Sequence, residues 1–170
     1  MILLGIGSNL NSKIGDRFTN INLSISILES KYIKILKRSS FYETPSYPNK
    51  KNPKFINVVI KVSTNLSIED FIAALISTEE KLERKRNLKN EPRTCDIDIL
   101  DYNGIVSNFN FKNQNFRVPH EKLNFRNFVL YPLHEIEPNW KHPKSKEKVS
   151  SLIENLTEEN RKSILKIQKN

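Results

Sequence analysis

The stretch Phe55-Ile56-Asn57-Val58-Val59-Ile60-Lys61-Val62-Ser63-Thr64 indicates the fold more clearly than any other part of the sequence. Aliphatic residues occupy positions 56, 58, 60 and 62, whereas Phe55 and Asn57 fall on the alternate face. Successive side chains of a β-strand point to opposite faces, so this pattern predicts a strand with one face against a core.

A helix and a further strand are predicted after this stretch. Ser67 and Asp70 have the spacing of a capping box, which favours a helix start at this point. Apolar residues recur at helical spacing over 68–82, and we expect the helix to end near Arg84. Residues 95–100 alternate again and are predicted to form a strand.

The whole chain predicts an α+β fold of the ferredoxin-like type. Residues 1–7 are nearly all apolar and predict a buried strand, residues 18–28 have helical spacing, and 32–43 are expected to be extended. The order βαββαβ gives an antiparallel sheet with both helices on one face. Beyond this core we expect a hairpin over 102–118, a helix over about 125–137 and an amphipathic tail.

Composition and charge are those of one soluble domain. The chain has 170 residues, 37% of them hydrophobic, and a net charge of +9. We expect a single domain over 1–170, with a catalytic core over about 1–143 and a basic C-terminal extension over about 144–170. The positive charge favours anionic ligands but does not separate a nucleotide from a nucleic acid.

The sequence favours a cytoplasmic protein without a membrane partner. Its apolar runs are too short to span a bilayer, and its first residues lack the pattern of a secretion signal. The single cysteine, Cys95, excludes an intramolecular disulfide.

Two carboxylates on the strand 95–100 give the strongest sign of chemistry. Asp96 and Asp98 are two residues apart, so they project from one face, roughly 7 Å apart along the strand. Two adjacent anions are stable beside a cation, and Mg²⁺ is usually held by one or two carboxylates plus substrate phosphates. The sequence therefore predicts a magnesium site here. The alternative is an acidic surface paired with nearby basic residues.

Three arginines lie close in sequence to this pair. Arg84 and Arg86 precede the loop 87–92, and Arg93 follows it. A guanidinium matches phosphate oxygens and keeps its charge, so phosphate binding is expected. The alternative for Arg84 and Arg86 is an interaction with the C-terminus of the preceding helix.

Other candidates give weaker signals. Gly5-Ile6-Gly7 lacks the third glycine of a dinucleotide fingerprint, so a close approach of another strand or a ligand is favoured. Phe55 and Asn57 could stack on and hydrogen-bond a flat heterocycle, or Phe55 could be a half-buried aromatic of the sheet. A lone histidine such as His120 is more often structural than functional.

Taken in order, these segments resemble the 6-hydroxymethyl-7,8-dihydropterin pyrophosphokinase family. The matching segments are Gly5-Ile6-Gly7-Ser8-Asn9-Leu10, Ser40-Phe41-Tyr42-Glu43-Thr44-Pro45, Phe55-Ile56-Asn57, Glu79 with Arg84 and Arg86, Pro92-Arg93-Thr94-Cys95-Asp96-Ile97-Asp98-Ile99-Leu100, Val118-Pro119-His120, and Arg126-Asn127-Phe128-Val129-Leu130-Tyr131-Pro132-Leu133.

The resemblance implies a monomeric enzyme of folate biosynthesis that uses the ferredoxin-like fold. It implies that ATP donates its β- and γ-phosphates as one unit to 6-hydroxymethyl-7,8-dihydropterin and that AMP leaves. It also implies two Mg²⁺ ions held by Asp96 and Asp98, which act with Arg84 and Arg93 as the catalytic residues. The implied ATP site consists of Glu79, Arg84, Arg86, Arg93, Ile99, His120 and Arg126. The implied pterin site consists of Gly7, Thr44, Pro45, Tyr47, Phe55, Asn57 and Phe128, with the ring stacked between the two phenylalanines.

Two alternatives from other classes remain. A single-stranded RNA-binding module shares the order of elements and the positive charge, but Asp96 and Asp98 would repel a phosphate backbone. A regulatory domain that binds a small ligand has no need of paired carboxylates near three arginines. The pyrophosphokinase interpretation, with no nucleic acid as partner, is therefore preferred.

Overall fold

The computed structural model describes residues 1–84, 91–111 and 114–168. In this part of the chain there are eight strands and five α-helices. The strands are β1 (Ile2–Ser8), β2 (Lys34–Arg38), β3 (Phe41–Thr44), β4 (Phe55–Ser63), β5 (Asp96–Tyr102), β6 (Ser107–Phe111), β7 (Gln114–Val118) and β8 (Leu165–Ile167). The helices are α1 (Arg17–Glu29), α2 (Ile68–Lys81), α3 (Asn127–Ile136), α4 (Val149–Glu154) and α5 (Glu158–Lys162), with a 3-10 turn at Leu123–Phe125.

Six of the strands form one antiparallel sheet in the order β5-β1-β4-β3-β8, with β2 also paired to β4. β2 and β3 lie end to end along the same side of β4, so the extended segment predicted over 32–43 is one interrupted strand. Ser39 occupies the interruption: its backbone N–H donates to the Val59 carbonyl at 2.9 Å and its Oγ accepts from the Val59 N–H at 3.0 Å. The ferredoxin-like α+β prediction is confirmed.

The alternation predicted for the central strands is confirmed and separates two cores. Ile56, Val58, Ile60 and Val62 of β4 belong to the core beneath α1 and α2, as do Ile97 and Ile99 of β5. Both helices of the βαββαβ unit therefore lie on one face, as the sequence predicts. Val59 points the other way, into a second core that α3 and α4 build on the opposite face.

Helix α2 begins as predicted and ends earlier than predicted. The Ser67 Oγ accepts from the Asp70 N–H at 3.1 Å, which caps the first turn. The helix ends at Lys81, three residues before the predicted end. Glu83 adopts a left-handed conformation with φ of 61°, and the Arg84 N–H then bonds back to the Glu79 carbonyl at 3.1 Å. This is a Schellman-type helix end, here formed without glycine.

The second face of the sheet is apolar at one end and polar at the other. At the apolar end, Leu3 and Leu100 pack with Leu133 of α3, and the Trp140 Nε1–H donates to the buried Asp101 carboxylate at 2.8 Å. Toward the opposite end of the same strands lie Gly7 and the polar side chains of Asp96 and Asp98, and these two carboxylates line the cleft described below.

The C-terminal part of the chain is integrated into the fold. The expected hairpin is present as β6 and β7, and the expected helix is α3. The amphipathic tail contributes α4 to the second core. The sequence did not predict β8, which adds a strand to the sheet by pairing with β3. Within the ranges described above, no helix has the length and apolar character needed to cross a membrane.

Candidate active site

A cleft of about 460 Å³ opens between the edge strand β5 and the β7 segment. Because β5 is an edge strand, the cleft reaches residues of both its faces. Its lining contains six of the predicted site residues that carry charged or titratable side chains, together with three residues of β7; Glu79 is not among them. The lining residues are Arg84, Arg93, Asp96, Ile97, Asp98, Ile99, Asn115, Phe116, Arg117, His120 and Arg126.

Glu79 anchors one side of the cleft. Its carboxylate is 3% exposed and accepts hydrogen bonds from the Ile97 backbone N–H at 2.8 Å and from the Arg84 guanidinium. Arg84 in turn donates to Asp96 Oδ1 at 2.5 Å. Burial alone would lower the pKa of Arg84, but the negative charges of Asp96 and Glu79 outweigh burial and the pKa lies above its ordinary value.

Arg93 approaches Asp96 from the other side. Its Nε lies 3.1 Å from Asp96 Oδ2 as an ion pair, although the alignment is not that of a hydrogen bond. Its guanidinium also lies over the Phe55 ring, 5.2 Å from the centroid. The Arg93 backbone N–H donates to Asn9 Oδ1 at 2.7 Å, which fixes the chain just before β5. Asp96 thus lies between two arginines that are held by separate supports.

Arg126 and His120 flank the second carboxylate. Arg126 Nη1 donates to Asp98 Oδ2 at 2.9 Å, and its guanidinium lies 5.3 Å from the centroid of the Phe128 ring. Burial lowers the pKa of His120, and the positive charge of Arg126 acts in the same direction, whereas Asp98 opposes it. The neutral imidazole is therefore favoured.

The predicted pterin-binding residues lie beside this charged cluster. Gly7 of β1 pairs with Asp96 on one side and with Asn57 on the other, so these two residues are two strand spacings, about 10 Å, apart. The Asn57 Nδ2 donates to the Tyr42 carbonyl at 3.3 Å and to Thr44 Oγ1 at 3.1 Å. These bonds orient the amide.

Glycine at position 7 leaves room for the Asn57 amide. A Cβ added there would lie 3.1 Å from Asn57 Oδ1 and 3.5 Å from Phe55 Cδ1. The space that Gly7 leaves is thus taken up by side chains of the neighbouring strand β4, whereas the sequence predicted a close approach of another strand or of a ligand.

The remaining predicted site residues differ in how far they are buried. Pro45 is half-buried next to Thr44, whereas Tyr47 on the following loop is 86% exposed. Ile99 is buried in the first core and also lines the cleft. Arg86 lies outside the described residues.

Sequence reasoning missed the contribution of β7 and of Asn9. Asn115, Phe116 and Arg117 line the cleft, and Arg117 pairs with Glu121 at 2.6 Å. The hairpin prediction located this strand, but nothing local indicates that it faces β5. Asn9 lies in the Gly-Ile-Gly-Ser-Asn segment, which was the available signal.

The donor set at Asp96 and Asp98 fits magnesium. Their carboxylates share one face of β5 and remain partly exposed, at 22% and 29%. Mg²⁺ usually takes one or two protein carboxylates and completes its shell with waters and phosphates. Over the described ranges, no group of three or more His, Cys, Asp and Glu side chains is arranged to hold a metal. The pair therefore suits an ion that shares its ligands with a phosphate.

The fold and the cleft together define a class: a ferredoxin-like α+β protein whose edge-strand cleft suits phosphate-bearing ligands. The sequence pattern of one family, described as 7,8-dihydro-6-hydroxymethylpterin-pyrophosphokinase (HPPK), matches residues 3–138. The chain belongs to this family.

Similar proteins agree with this assignment. The 2-amino-4-hydroxy-6-hydroxymethyldihydropteridine pyrophosphokinase of Aquifex aeolicus is 37% identical over 142 residues, which cover 84% of this chain and 83% of that protein. The folic acid synthesis protein FOL1 of Dictyostelium discoideum is 36% identical over 143 residues, 84% of this chain but 20% of that protein. A crystal structure of a Plasmodium falciparum HPPK-DHPS triple mutant shares the fold, with a TM-score of 0.75 and 14% identity over 99% of this chain and 46% of that chain. These comparisons do not support the RNA-binding alternative.

The buried Glu79 carboxylate generates a stability prediction. Glu79→Ala leaves the Ile97 N–H and the Arg84 guanidinium without their shared acceptor, and we expect it to lower the free energy of unfolding by about 3 kcal/mol, the scale of breaking one side of a buried ion pair. Urea denaturation followed by circular dichroism measures the change. Glu80→Ala, at the neighbouring exposed position of the same helix, is the control and should change stability by less than about 0.5 kcal/mol. Equal effects of the two substitutions would contradict the anchoring role of Glu79.

Proposed function

We propose that this protein transfers the diphosphate group of ATP to 6-hydroxymethyl-7,8-dihydropterin, with release of AMP, as a step of folate biosynthesis. Membership of the HPPK family supports the proposal. The observation that carries it at the level of the site is the arrangement around Gly7: Asp96 and its arginines lie on one side and Asn57 on the other. Phosphate-binding and heterocycle-binding groups are thereby adjacent.

In this proposal the arginines position and neutralise the transferred group. Diphosphate transfer needs little covalent participation by the protein, because orientation and charge stabilisation account for most of the catalysis. Arg84 is held from behind by Glu79, and Arg126 is held by Asp98, so both charges are oriented before a ligand arrives. Arg93, held by its backbone bond to Asn9, completes the set. The chain's carboxylates are assigned to binding, and none is assigned the role of base.

Two magnesium ions are part of the proposal, with Asp96 and Asp98 as the protein ligands. A bound Mg²⁺ would supply Lewis-acid stabilisation of negative charge on phosphate oxygens and would activate the attacking hydroxyl. Arg84 and Arg93 lie close enough to Asp96 to bind the remaining oxygens of the same phosphates.

The pterin subsite is proposed between Phe55 and Phe128, with Asn57 at its floor. The Asn57 Nδ2 group is already engaged with Tyr42 and Thr44, so its Oδ1 remains the atom able to accept from an N–H of the ring. Each flanking ring has an arginine within cation–π distance, which supports a heterocycle subsite next to the phosphate-binding groups. Thr44, Pro45 and Tyr47 are assigned to the same subsite.

The proposal extends to the state and setting of the protein. It acts as a monomer in the cytoplasm, with ATP and the hydroxymethyl pterin as its ligands and without a nucleic-acid or membrane partner. The single cysteine of the chain accords with a reducing compartment.

The direct test is incubation of the protein with ATP, MgCl₂ and 6-hydroxymethyl-7,8-dihydropterin. Chromatography should detect AMP and pterin diphosphate in equal amounts. Chelation of the metal with EDTA should stop the reaction, and added MgCl₂ should restore it. Formation of ADP in place of AMP, or no pterin-dependent product, would refute the proposed reaction.

Replacement of either metal-binding carboxylate should remove most of the activity. Asp96→Asn and Asp98→Asn keep the side-chain shape and delete the charge, so we expect kcat to fall about 100-fold or more, the scale of losing a preorganised electrostatic contact. Thermal unfolding checks that both variants remain folded, and Glu29→Gln, at an exposed position of α1, is the control. A folded variant with nearly normal kcat would remove the metal-binding role from that residue.

Two glycines of β1 provide a matched pair for the pterin subsite. The Cβ of Gly7→Ala would come within 3.1 Å of Asn57 Oδ1, whereas that of Gly5→Ala would meet only the Leu100 side chain at 3.5 Å, an ordinary contact. Steady-state kinetics should show a KM for the pterin raised about tenfold in Gly7→Ala, since displacement of one hydrogen-bonding group is worth about 1–1.5 kcal/mol. Gly5→Ala should keep the wild-type KM. Similar KM values for the two variants would argue against a pterin contact at Asn57.

A further inference from the structure

We infer that the C-terminal segment 157–167 is part of the frame of the active site, and that Asn127 is the positioning residue through which it holds Arg126 and Phe128. This inference rests on the proposed function, because it concerns two residues assigned there to the ATP and pterin subsites. The segment lies beyond residue 138, where the match to the family ends.

Three hydrogen bonds join the segment to the turn that leads into α3. The Asn127 Nδ2 donates to the Asn160 carbonyl at 2.6 Å and to Ser163 Oγ at 2.9 Å. In the opposite direction, the Asn160 Nδ2 donates to the Phe125 carbonyl at 3.1 Å. Asn127 is 4% exposed, so its own two bonds are partly shielded from water and their loss would leave a buried amide unsatisfied, whereas the bond from Asn160 to the Phe125 carbonyl is exposed.

The first turn of α3 depends on these contacts because the side chain of its N-cap residue does not cap it. Arg126 is the N-cap residue and makes no side-chain cap hydrogen bond. Its guanidinium extends instead into the cleft, where it binds Asp98 at 2.9 Å. Ordinarily an Asn, Asp, Ser or Thr side chain would fix such a helix start. Here Asn127, one residue later, fixes it through a distant part of the chain.

The segment also contacts β3, the strand that contains Tyr42 and Thr44. Its strand β8 pairs with β3, with Lys166 opposite Tyr42, and the Lys166 Nζ lies 3.5 Å from the Glu135 carboxylate. The Tyr42 hydroxyl donates to the same carboxylate at 2.7 Å, and the Tyr42 carbonyl accepts from Asn57. One segment therefore contacts both the α3 turn that presents Phe128 and the strand that orients Asn57.

The segment is attached to the rest of the fold near its start, through Leu156, and at its end, through β8. Leu156, just before it, is 6% exposed in the second core. The Arg161 guanidinium donates to the Glu154 carbonyl at 3.0 Å, and Thr157 caps α5 through its Oγ1. Because the segment is attached at both ends, its hydrogen bonds can restrain the turn that leads into α3.

The test compares substitutions on the two sides of the contact with a control elsewhere. Asn127→Ala removes two of the three hydrogen bonds, and Asn160→Ala removes the third from the partner segment. Ser67→Ala is the control: it removes a real helix cap, but at the end of α2 remote from Arg84. Should Asn127→Ala fail to fold, Asn160→Ala and Ser163→Ala, both at half-buried positions, carry the same test.

Steady-state kinetics, measured well below each variant's Tm, give the functional readout. We expect the KM for the pterin to rise about tenfold in the variants of the contact, because small misplacements of binding groups have effects of this size or larger, while kcat falls less than about threefold. Ser67→Ala should leave KM and kcat unchanged. An unchanged KM in the contact variants, or an equal rise in Ser67→Ala, would overturn the inference in favour of a general effect on stability.

Hydrogen exchange gives a readout that does not depend on catalysis. The amides of Val129 and Leu130 both bond to the Arg126 carbonyl, each at 3.0 Å, and should exchange about tenfold faster in Asn127→Ala than in the wild type, while amides of α2 keep their rates. If the wild type forms no pterin diphosphate, the proposed function fails and hydrogen exchange alone decides the inference. Faster exchange in Asn127→Ala supports the positioning role of Asn127, and unchanged exchange overturns it.

Discussion

The pairing of β5 with β1 is the constraint on which the rest of the site depends. In this register Asp96 and Asp98 stand beside Gly7 and Gly5, two positions that carry no side chain, while Ile97 points into the core beneath α1 and α2. A shift of one residue would bury both carboxylates and expose the aliphatic residues. The burial of the aliphatic side chains of β5 therefore fixes the face on which its two carboxylates lie. The same alternation in β4 buries Val58 and presents Asn57 to the cleft side.

The concentration of charge at the cleft is tolerated because Glu79, Asp96 and Asp98 each have a cationic or N–H partner. Burying Glu79 would be costly without its bonds to Arg84 and the Ile97 N–H. The bond to Arg84 exists because α2 ends at Lys81 and the left-handed residue Glu83 turns the chain back over the end of the helix. The left-handed conformation at Glu83 thus brings the Arg84 guanidinium within hydrogen-bond distance of Asp96. The resulting ion pairs are preorganised groups which a phosphate-bearing ligand can meet without a large rearrangement.

The two faces of the sheet differ in what covers them. The face beneath α1 and α2 is mainly apolar and provides the larger core, whereas the opposite face is divided between the α3–α4 core and the cleft. Helix α3 belongs to both parts, because Leu133 packs in the core while Arg126 at its start reaches Asp98. Any element that fixes the start of α3 therefore affects the site. The C-terminal segment is such an element, because it is hydrogen-bonded to Asn127.

The amino-acid sequence was enough to predict the periodic elements, the shared face of Asp96 and Asp98, the capping of α2 by Ser67 and the family of the chain, because each is encoded in neighbouring residues or in an ordered set of short motifs. Which distant groups meet depends on the tertiary fold, which brings together Arg126 with Asp98, β7 with β5, and Asn127 with the C-terminal segment. It also decided that three residues, Leu165–Ile167, form an edge strand, since so short a stretch has no periodicity of its own and pairs only because β3 offers a free edge. Periodicity reports which side of an element is buried, whereas the identity of the neighbour depends on how the whole chain packs.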